Sequence, residues 1–276
     1  MAASGIPLID AAGQVHQVWD GEPRIVSLVP SITELVCALG LTQHLVGRTG
    51  FCIHPKAELR AVPKVGGTKD VDLNKVHELK PTHVIVNIDE NTKEMAAALS
   101  AFVPHLIVTH PLGPLDNVPL YRLLGGIFRR EAEAERLAAL FEATYTRVSS
   151  AGRDPERRSV LYLIWKKPWM TVSRDTYISR TLALFGLDTV PANSTVRYPE
   201  LELEAAAKDA QLVLLSTEPY RFGAKDVATL RAIPGFDNKV IELVDGEMTS
   251  WYGPRAITGL DYLLALRRRF DARRAK

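Results

Sequence analysis

At 276 residues, 46% of them hydrophobic and 24% charged, the chain has the composition of a globular protein with room for two compact bodies or one large one, which excludes disorder. A formal charge of +2 excludes the strongly basic balance of a general nucleic-acid binder, and the six Lys and Arg among the last ten residues read as the solvated end of a helix. Cys37 and Cys52 make no disulfide framework, and with no apolar run of about 18 residues nothing is expected to be embedded in a membrane.

The opening segment, MAASGIPLIDAAGQVHQVWDGEP, lacks the basic stretch and apolar core of a secretory signal. The chain as written is therefore expected in the cytoplasm, with the periplasm as the alternative if a leader is removed. Residues 6–19 alternate weakly around Ala12-Gly13, as a short hairpin or an added edge strand would. RIVSLV, over 24–29, is apolar and β-branched like a buried parallel strand, and Pro30 ends it. Ser31 or Thr33 is expected to cap the helix that follows, which carries Cys37 as a small core residue and stops at Gly40. A second strand over 45–49 leads to the polar and aromatic loop GFCIHPKAEL, and VGGTKD leads to a helix over 73–79. The strand THVIVN, the loop IDENTKE, a helix through Phe102 and the strand HLIVTH complete the first half. Strands alternating with helices predict a doubly wound parallel sheet, because parallel neighbours need crossover connections.

Residues 118–150 place Leu120, Leu124, Ile127, Leu137, Phe141 and Val148 at helical spacing against a face of Arg and Glu. One helix of that span would be roughly 50 Å long, enough to join two bodies. Gly125-Gly126 is costly inside a helix, so the regular part is expected to begin after it. Beyond it the pattern starts again: SVLYLIW answers RIVSLV, and ELELEAAAKDAQLVLLS answers DLNKVHELKPTHVIVN, a weak internal repeat in the order of elements. A helix over 224–232, the strand VIELV, the loop DGEMTSWYGPR and a last helix to Phe270 close the second half. The fold class that follows is α/β: two Rossmann-like lobes, 1–117 and 151–276, each with a mostly parallel sheet, joined by one long backbone helix over 118–150.

Ligands of open α/β sheets bind beyond the carboxyl ends of the strands. Those ends carry Phe51, Cys52, His54, Lys69, Asn87 and Glu90 in the first half, and Trp165, Trp169, Arg197, Tyr198, Glu218, Tyr220, Trp251 and Tyr252 in the second. Aromatics on loops suit a platform for a flat or apolar ligand, with the charged residues on its polar rim, although each could instead cover the end of the core. Cys52 and His54 have the ligand types for a soft or borderline metal but lack the further ligands of a closed site. His54 alone is the metal candidate, as an axial ligand to a metal already held by a chelator; its alternative is a loop hydrogen bond. His105 and His110, on either side of a strand, read as structural or exposed. The nucleophile elbow, the phosphate loop and HExxH are all missing, so no catalytic residue is assigned; Glu218 and Glu247 are a carboxylate pair without other support.

RIVSLVPSITELVCALGL, VDLNKVHELKPTHVIV, the long helix, TLALFGLDTV and ELELEAAAKDAQLVLL together resemble the class III substrate-binding proteins of ABC importers, the helical-backbone metal receptors, over about residues 24–270. The resemblance implies a monomeric, non-enzymatic protein that holds a metal chelate between its lobes and closes little on binding. It implies a corrinoid such as cobalamin first, with haem or a ferric siderophore behind it, no covalent cofactor, and an ABC permease as partner. Importer docking in that family uses a glutamate on each lobe. The matching positions are Glu202 or Glu204 in the second lobe and Asn74 in the first, where the family has glutamate. The rival readings are a cytosolic corrinoid-handling or hydrolytic enzyme using the same cleft, and a scaffold or sensory module.

Overall fold

The computed structural model describes residues 7–151 and 156–274. Their contacts divide the chain into two compact units. Unit 1 takes the chain up to Pro111, then Leu115–Phe141 and Tyr252–Pro254; unit 2 takes Leu112–Pro114, Glu142–Trp251 and the chain from Arg255 onward.

Unit 1 runs β1 (Ile25–Ser27), α1 (Pro30–Ala38), β2 (Leu45–Arg48), α2 (Leu73–Glu78), β3 (His83–Asn87), α3 (Lys93–Ser100), β4 (His105–Thr109) and α4 (Asn117–Ile127). Its four-stranded sheet has the order β2-β1-β3-β4, and every pairing is parallel, as the crossover pattern predicts. Val26, Leu28, Val84 and Val86 of the sheet pack on Val76, Met95 and Leu99 of the covering helices. Asp72 and Thr92 cap α2 and α3 by accepting the N–H groups of Lys75 and Met95. The cap expected from Ser31 or Thr33 is absent at α1: its N-cap is Val29, without a side-chain bond. Pro30 is the reason, because a proline at the first helical position has no N–H to satisfy and a φ already set for the helix. Thr33 instead turns its hydroxyl back onto Val29 O and Ser27 Oγ.

The segment before β1 follows the first reading made of it, a short hairpin-like turn, and among the described residues it adds no strand to the sheet. Ile9 bridges Val15 in a short antiparallel turn, and Ala11 N–H donates to Val108 O on the outer edge of β4. Asp10 fastens the turn by accepting from Ala12 N, Gln14 N, Val108 N and His16 Nε2. Ile6, where the hairpin was expected to start, lies outside the described residues. Trp19 continues the arm and meets His83 and His105 edge-on, at centroid distances of 5.0 and 5.3 Å. These two imidazoles open β3 and β4, pair in register and stack 4.8 Å apart.

The stretch 118–150 is two helices. α4 stops at Ile127, Arg129 takes a φ of +55°, and α5 (Glu131–Ala151) is the long helix, 21 residues or about 31 Å. Gly125 faces Ala134 and Arg130 so closely that a Cβ would overlap both. The glycine therefore permits a close approach of the two helices, and the chain turns three residues after the pair. The division between units passes through α5, between Phe141 and Glu142.

Unit 2 continues with β5 (Arg158–Trp165), β6 (Met170–Thr171), α6 (Tyr177–Ala183), β7 (Leu187–Thr189), α7 (Leu203–Asp209), β8 (Leu212–Ser216), α8 (Ala224–Arg231), β9 (Val240–Val244), α9 (Gly246–Ser250) and α10 (Arg255–Arg274). Its five-stranded sheet has the order β6-β5-β8-β9, with β7 also on β5, and only β6 runs antiparallel. β6, β7 and α9 lie in stretches read as loop or left unassigned, since two to five residues carry no readable periodicity. Leu161, Leu163, Val213 and Leu215 of β5 and β8 pack on Leu203, Ala207, Leu230 and Phe236.

Candidate functional site

In unit 1 the carboxyl end of β2 opens into a loop over 49–63 whose two ends meet: Arg48 N–H donates to Pro63 O, and Arg48 O accepts from Val65 N. Phe51 and Ile53 stand out from this loop, 62% and 49% exposed. Ile88, at the carboxyl end of β3, is exposed as well. Three apolar side chains are thus displayed at strand ends, where the chain could have turned them inward. Ile53 and Ile88 were missed in the sequence; apolar residues inside the otherwise polar strings CIHP and NIDEN were the available signal.

Cys52, expected to face a ligand, is wholly buried, with Sγ 3.1 Å from Thr49 Oγ1, and burial raises its thiol pKa. His54 is partly buried on the same loop. Asn87 is buried and organises the next loop: Oδ1 accepts from Asp89 N and Glu90 N, and Nδ2 donates to Thr109 Oγ1. Lys69 Nζ reaches Asp89 O at 2.8 Å. Glu90 Oε1 accepts the hydroxyl of Tyr252 at 2.7 Å, and burial beside that carboxylate raises the phenol pKa well above its usual value. Tyr252 and Gly253 are further fixed in unit 1 by Tyr121, whose hydroxyl donates to Gly253 O, and by Asn117 Oδ1, which accepts Gly253 N–H. Gly253 has a φ of +78° with Ser31 O beside it, a conformation and a space that suit glycine.

In unit 2 an aromatic ladder spans the carboxyl ends of β5 and β8. Trp165, 39% exposed, meets Tyr220 edge-on at 5.7 Å; Tyr220 lies 4.6 Å from Phe222; Phe222 stacks on Trp169. Trp169 and Tyr220 also pack on the core, as the second of the two readings made of them has it. Arg197 and Tyr198 are partly buried, in a segment hydrogen-bonded alongside β6, and the guanidinium lies 6.0 Å from the Tyr198 ring centroid.

The loop after β9 becomes α9, capped by Asp245, and Glu218 pins its end. Glu218 Oε1 accepts from the indole N–H of Trp251 and from Ser250 Oγ. Burial, with Glu247 and Asp245 close by, pushes the Glu218 carboxyl up to about 7 against the pull of those two hydrogen bonds. Glu247 pairs with Arg255 at 3.0 Å, and Arg255 lies over the Trp251 ring. The two carboxylates therefore hold the loop's own groups, Glu218 the indole and Glu247 the guanidinium. Glu202 stands at the N-cap position of α7 without a side-chain capping bond and Glu204 lies in its first turn, both exposed; Asn74 is exposed in the first turn of α2. Among the described residues no group of three or more His, Cys, Asp or Glu is placed to hold a metal ion.

These two sets of strand-end loops, one on a parallel sheet and one on a mostly parallel sheet, set the frame for comparison with known proteins. A family model described as periplasmic binding protein matches residues 25–233. The chain belongs to the periplasmic binding protein family. Within it, the order of elements is that of the class III substrate-binding proteins of ABC importers. A vitamin B12-binding protein of Pectobacterium carotovorum is 25% identical over 71% of this chain and 72% of its own length. An uncharacterized ABC transporter substrate-binding lipoprotein of Bacillus subtilis is 24% identical over 94% of this chain and 84% of its own. Among solved structures, the periplasmic vitamin B12 binding protein of Vibrio cholerae superposes with a TM-score of 0.79 at 19% identity, covering 89% of this chain and 96% of that one. The periplasmic haem-binding protein of Roseiflexus sp. RS-1 does so at 0.74 and 25% identity, over 90% and 98%. All four are binding proteins by name, and three of them are periplasmic or lipoprotein by name. The cytoplasmic placement expected from the first residues thus finds no support in them. No helix among the described residues is long and apolar enough to cross a membrane.

Proposed function

We propose that the chain is the solute receptor of an ABC-type uptake system and holds a metal chelate on its strand-end loops, a corrinoid in preference to haem or a ferric siderophore. The observation that carries the preference is charge. Two cations that the unit 2 loops partly bury already have carboxylate partners, Arg255 in Glu247 and Lys166 in Asp226. Exposed Phe51, Ile53 and Ile88 in unit 1 and Trp165 in unit 2 offer apolar contact. Such loops suit a macrocycle rimmed with neutral amides better than one whose carboxylates need cations of their own. Titration with cyanocobalamin, cobinamide and haem, followed by heat and visible absorbance, is expected to give a corrinoid affinity at least about tenfold above that for haem, or 1.4 kcal/mol. Absence of binding to all three below about 1 mM, roughly −4 kcal/mol, would remove the chelate reading.

His54 is proposed as the axial ligand of the bound metal. Aquocobinamide, which leaves an axial position open, should then show a band shift on binding that His54→Ala abolishes; an unchanged shift in the variant assigns the ligand elsewhere. Docking on a permease is proposed to use Glu202 and Glu204, with uncharged Asn74 making the unit 1 contribution the weaker one. Charge reversal at Glu202 and Glu204 should cut retention on detergent-solubilised permease without altering ligand affinity, and equal retention would overturn that assignment.

A further inference from the structure

Arg48 is a strand residue that alternation alone would leave unremarked, yet it is 7% exposed and its guanidinium points into the loop over 49–63. Nε and Nη2 both donate to Leu59 O, at 3.2 and 3.1 Å; Nη1 donates to Thr49 O at 3.1 Å and to Cys52 O at 3.0 Å. The cation is held by carbonyl dipoles at the beginning, the first turn and the far side of one loop. The backbone of the same residue closes the loop, through Pro63 O and Val65 N. Compact loops of this kind are usually packed by their own side chains. Here Leu59 and Cys52 are buried, but Phe51 and Ile53 are held outward, and the polar centre is the arginine. A planar fork of donors spans three carbonyls in a way an ammonium cannot; Thr49 O and Leu59 O keep the N–H groups of Cys52 and Val62, so the loss of the fork falls chiefly on Cys52 O.

We infer that Arg48 is the positioning residue of the ligand-binding surface of unit 1: its guanidinium preforms the loop over 49–63 and thereby aims Phe51, Ile53 and His54 before any ligand arrives. This rests on the proposed function for its consequence in binding, though not for its consequence in loop order. Preforming removes the ordering cost that a slack loop would charge against affinity.

The test pairs loop order with binding in the whole chain. In Arg48→Met and Arg48→Lys, amide exchange over 50–62 should rise at least about tenfold while β3, β4 and unit 2 keep their protection. Cyanocobalamin affinity should fall about tenfold or more in both, the retained charge of lysine giving no rescue. Arg48→Ala leaves a space that ethylguanidinium fits, and adding that cation at millimolar concentration should restore loop protection and affinity together. Unchanged exchange over 50–62, or an equal loss of protection across all of unit 1, would overturn the inference, as would full rescue by lysine. Should the wild-type chain bind no chelate, the proposed function fails, while exchange over 50–62 still decides what Arg48 does.

Discussion

Taking the protein from pH 7 to pH 5 is expected to cost unit 1 about 2 kcal/mol of stability, and His83→Phe to abolish most of that loss. His83 is 2% exposed, stacked on His105, flanked by Trp19 and Phe128, and bonded through Nδ1 to Thr82 Oγ1. Burial first, then the neighbouring imidazoles of His105 and His16, push its pKa down to about 3. The unfolded chain takes up a proton near the ordinary value of about 6.5, whereas the folded chain refuses it until about 3. The neutral ring therefore contributes fully above about pH 6.5, and the contribution drains away as pH falls through that window, to about 5 kcal/mol in all. Urea unfolding at pH 7.5, 6 and 5, with exchange in β3 and β4 reporting unit 1, checks it. A His83→Phe variant with the same pH slope as the wild type would show that another group titrates.

Unit 2 is expected to respond in the opposite direction. The Glu218 carboxyl stands at about 7, raised from about 4.5, so the folded unit binds this proton more tightly than the unfolded chain. Stability from Glu218 is fully present below about pH 4.5 and is lost as pH rises through 7, by about 3 kcal/mol between pH 4 and 8. Glu218→Gln keeps an oxygen to accept from Trp251 and Ser250 without carrying a charge. At pH 8 it should raise the urea midpoint of unit 2, and at pH 4.5 it should leave that midpoint nearly unchanged. A destabilised variant at pH 8 would mean that the ionised carboxylate is worth more to the indole and hydroxyl than its burial costs. Trp251→Phe removes one of the two bonds favouring ionisation, so the carboxyl should titrate higher still, as carbon-13 shifts of labelled glutamate would report.

The alternating pattern of the chain made the architecture legible. RIVSLV, THVIVN, HLIVTH and QLVLLS are long enough for their periodicity to exceed chance, and each is a parallel strand. Two-residue β6, three-residue β7 and five-residue α9 are held by neighbours instead of by their own pattern, and nothing local announces them. The site was legible as a set of loops and much less so as a set of roles. Asn87, Glu90 and Glu218 were read as polar contacts for a ligand and Tyr252 as a stacking aromatic; the side chains of all four also carry hydrogen bonds within the protein. A sequence shows which residues sit at strand ends, but hydrogen-bond partners 30 or 160 positions away decide which ones are already occupied. Arg48 escaped for the same reason, since its meaning lies in carbonyls that only the closed loop brings to it.

The placement of Tyr252–Pro254 in unit 1 bears on how the chain is made. Residues 115–141 complete the helices of that unit, but Tyr121, Asn117 and Glu90 wait for hydrogen bonds from residues translated more than 110 positions after α5 begins. A ribosome emerging past residue 150 has therefore released a first unit that lacks these three bonds, and a fragment cut there lacks them permanently. Trypsin should digest a fragment ending at residue 150 faster than it digests the same segment in the whole chain. Adding a synthetic peptide of residues 249–256 in trans should slow that cleavage, so that the turn between α9 and α10 acts as a seal on the first unit.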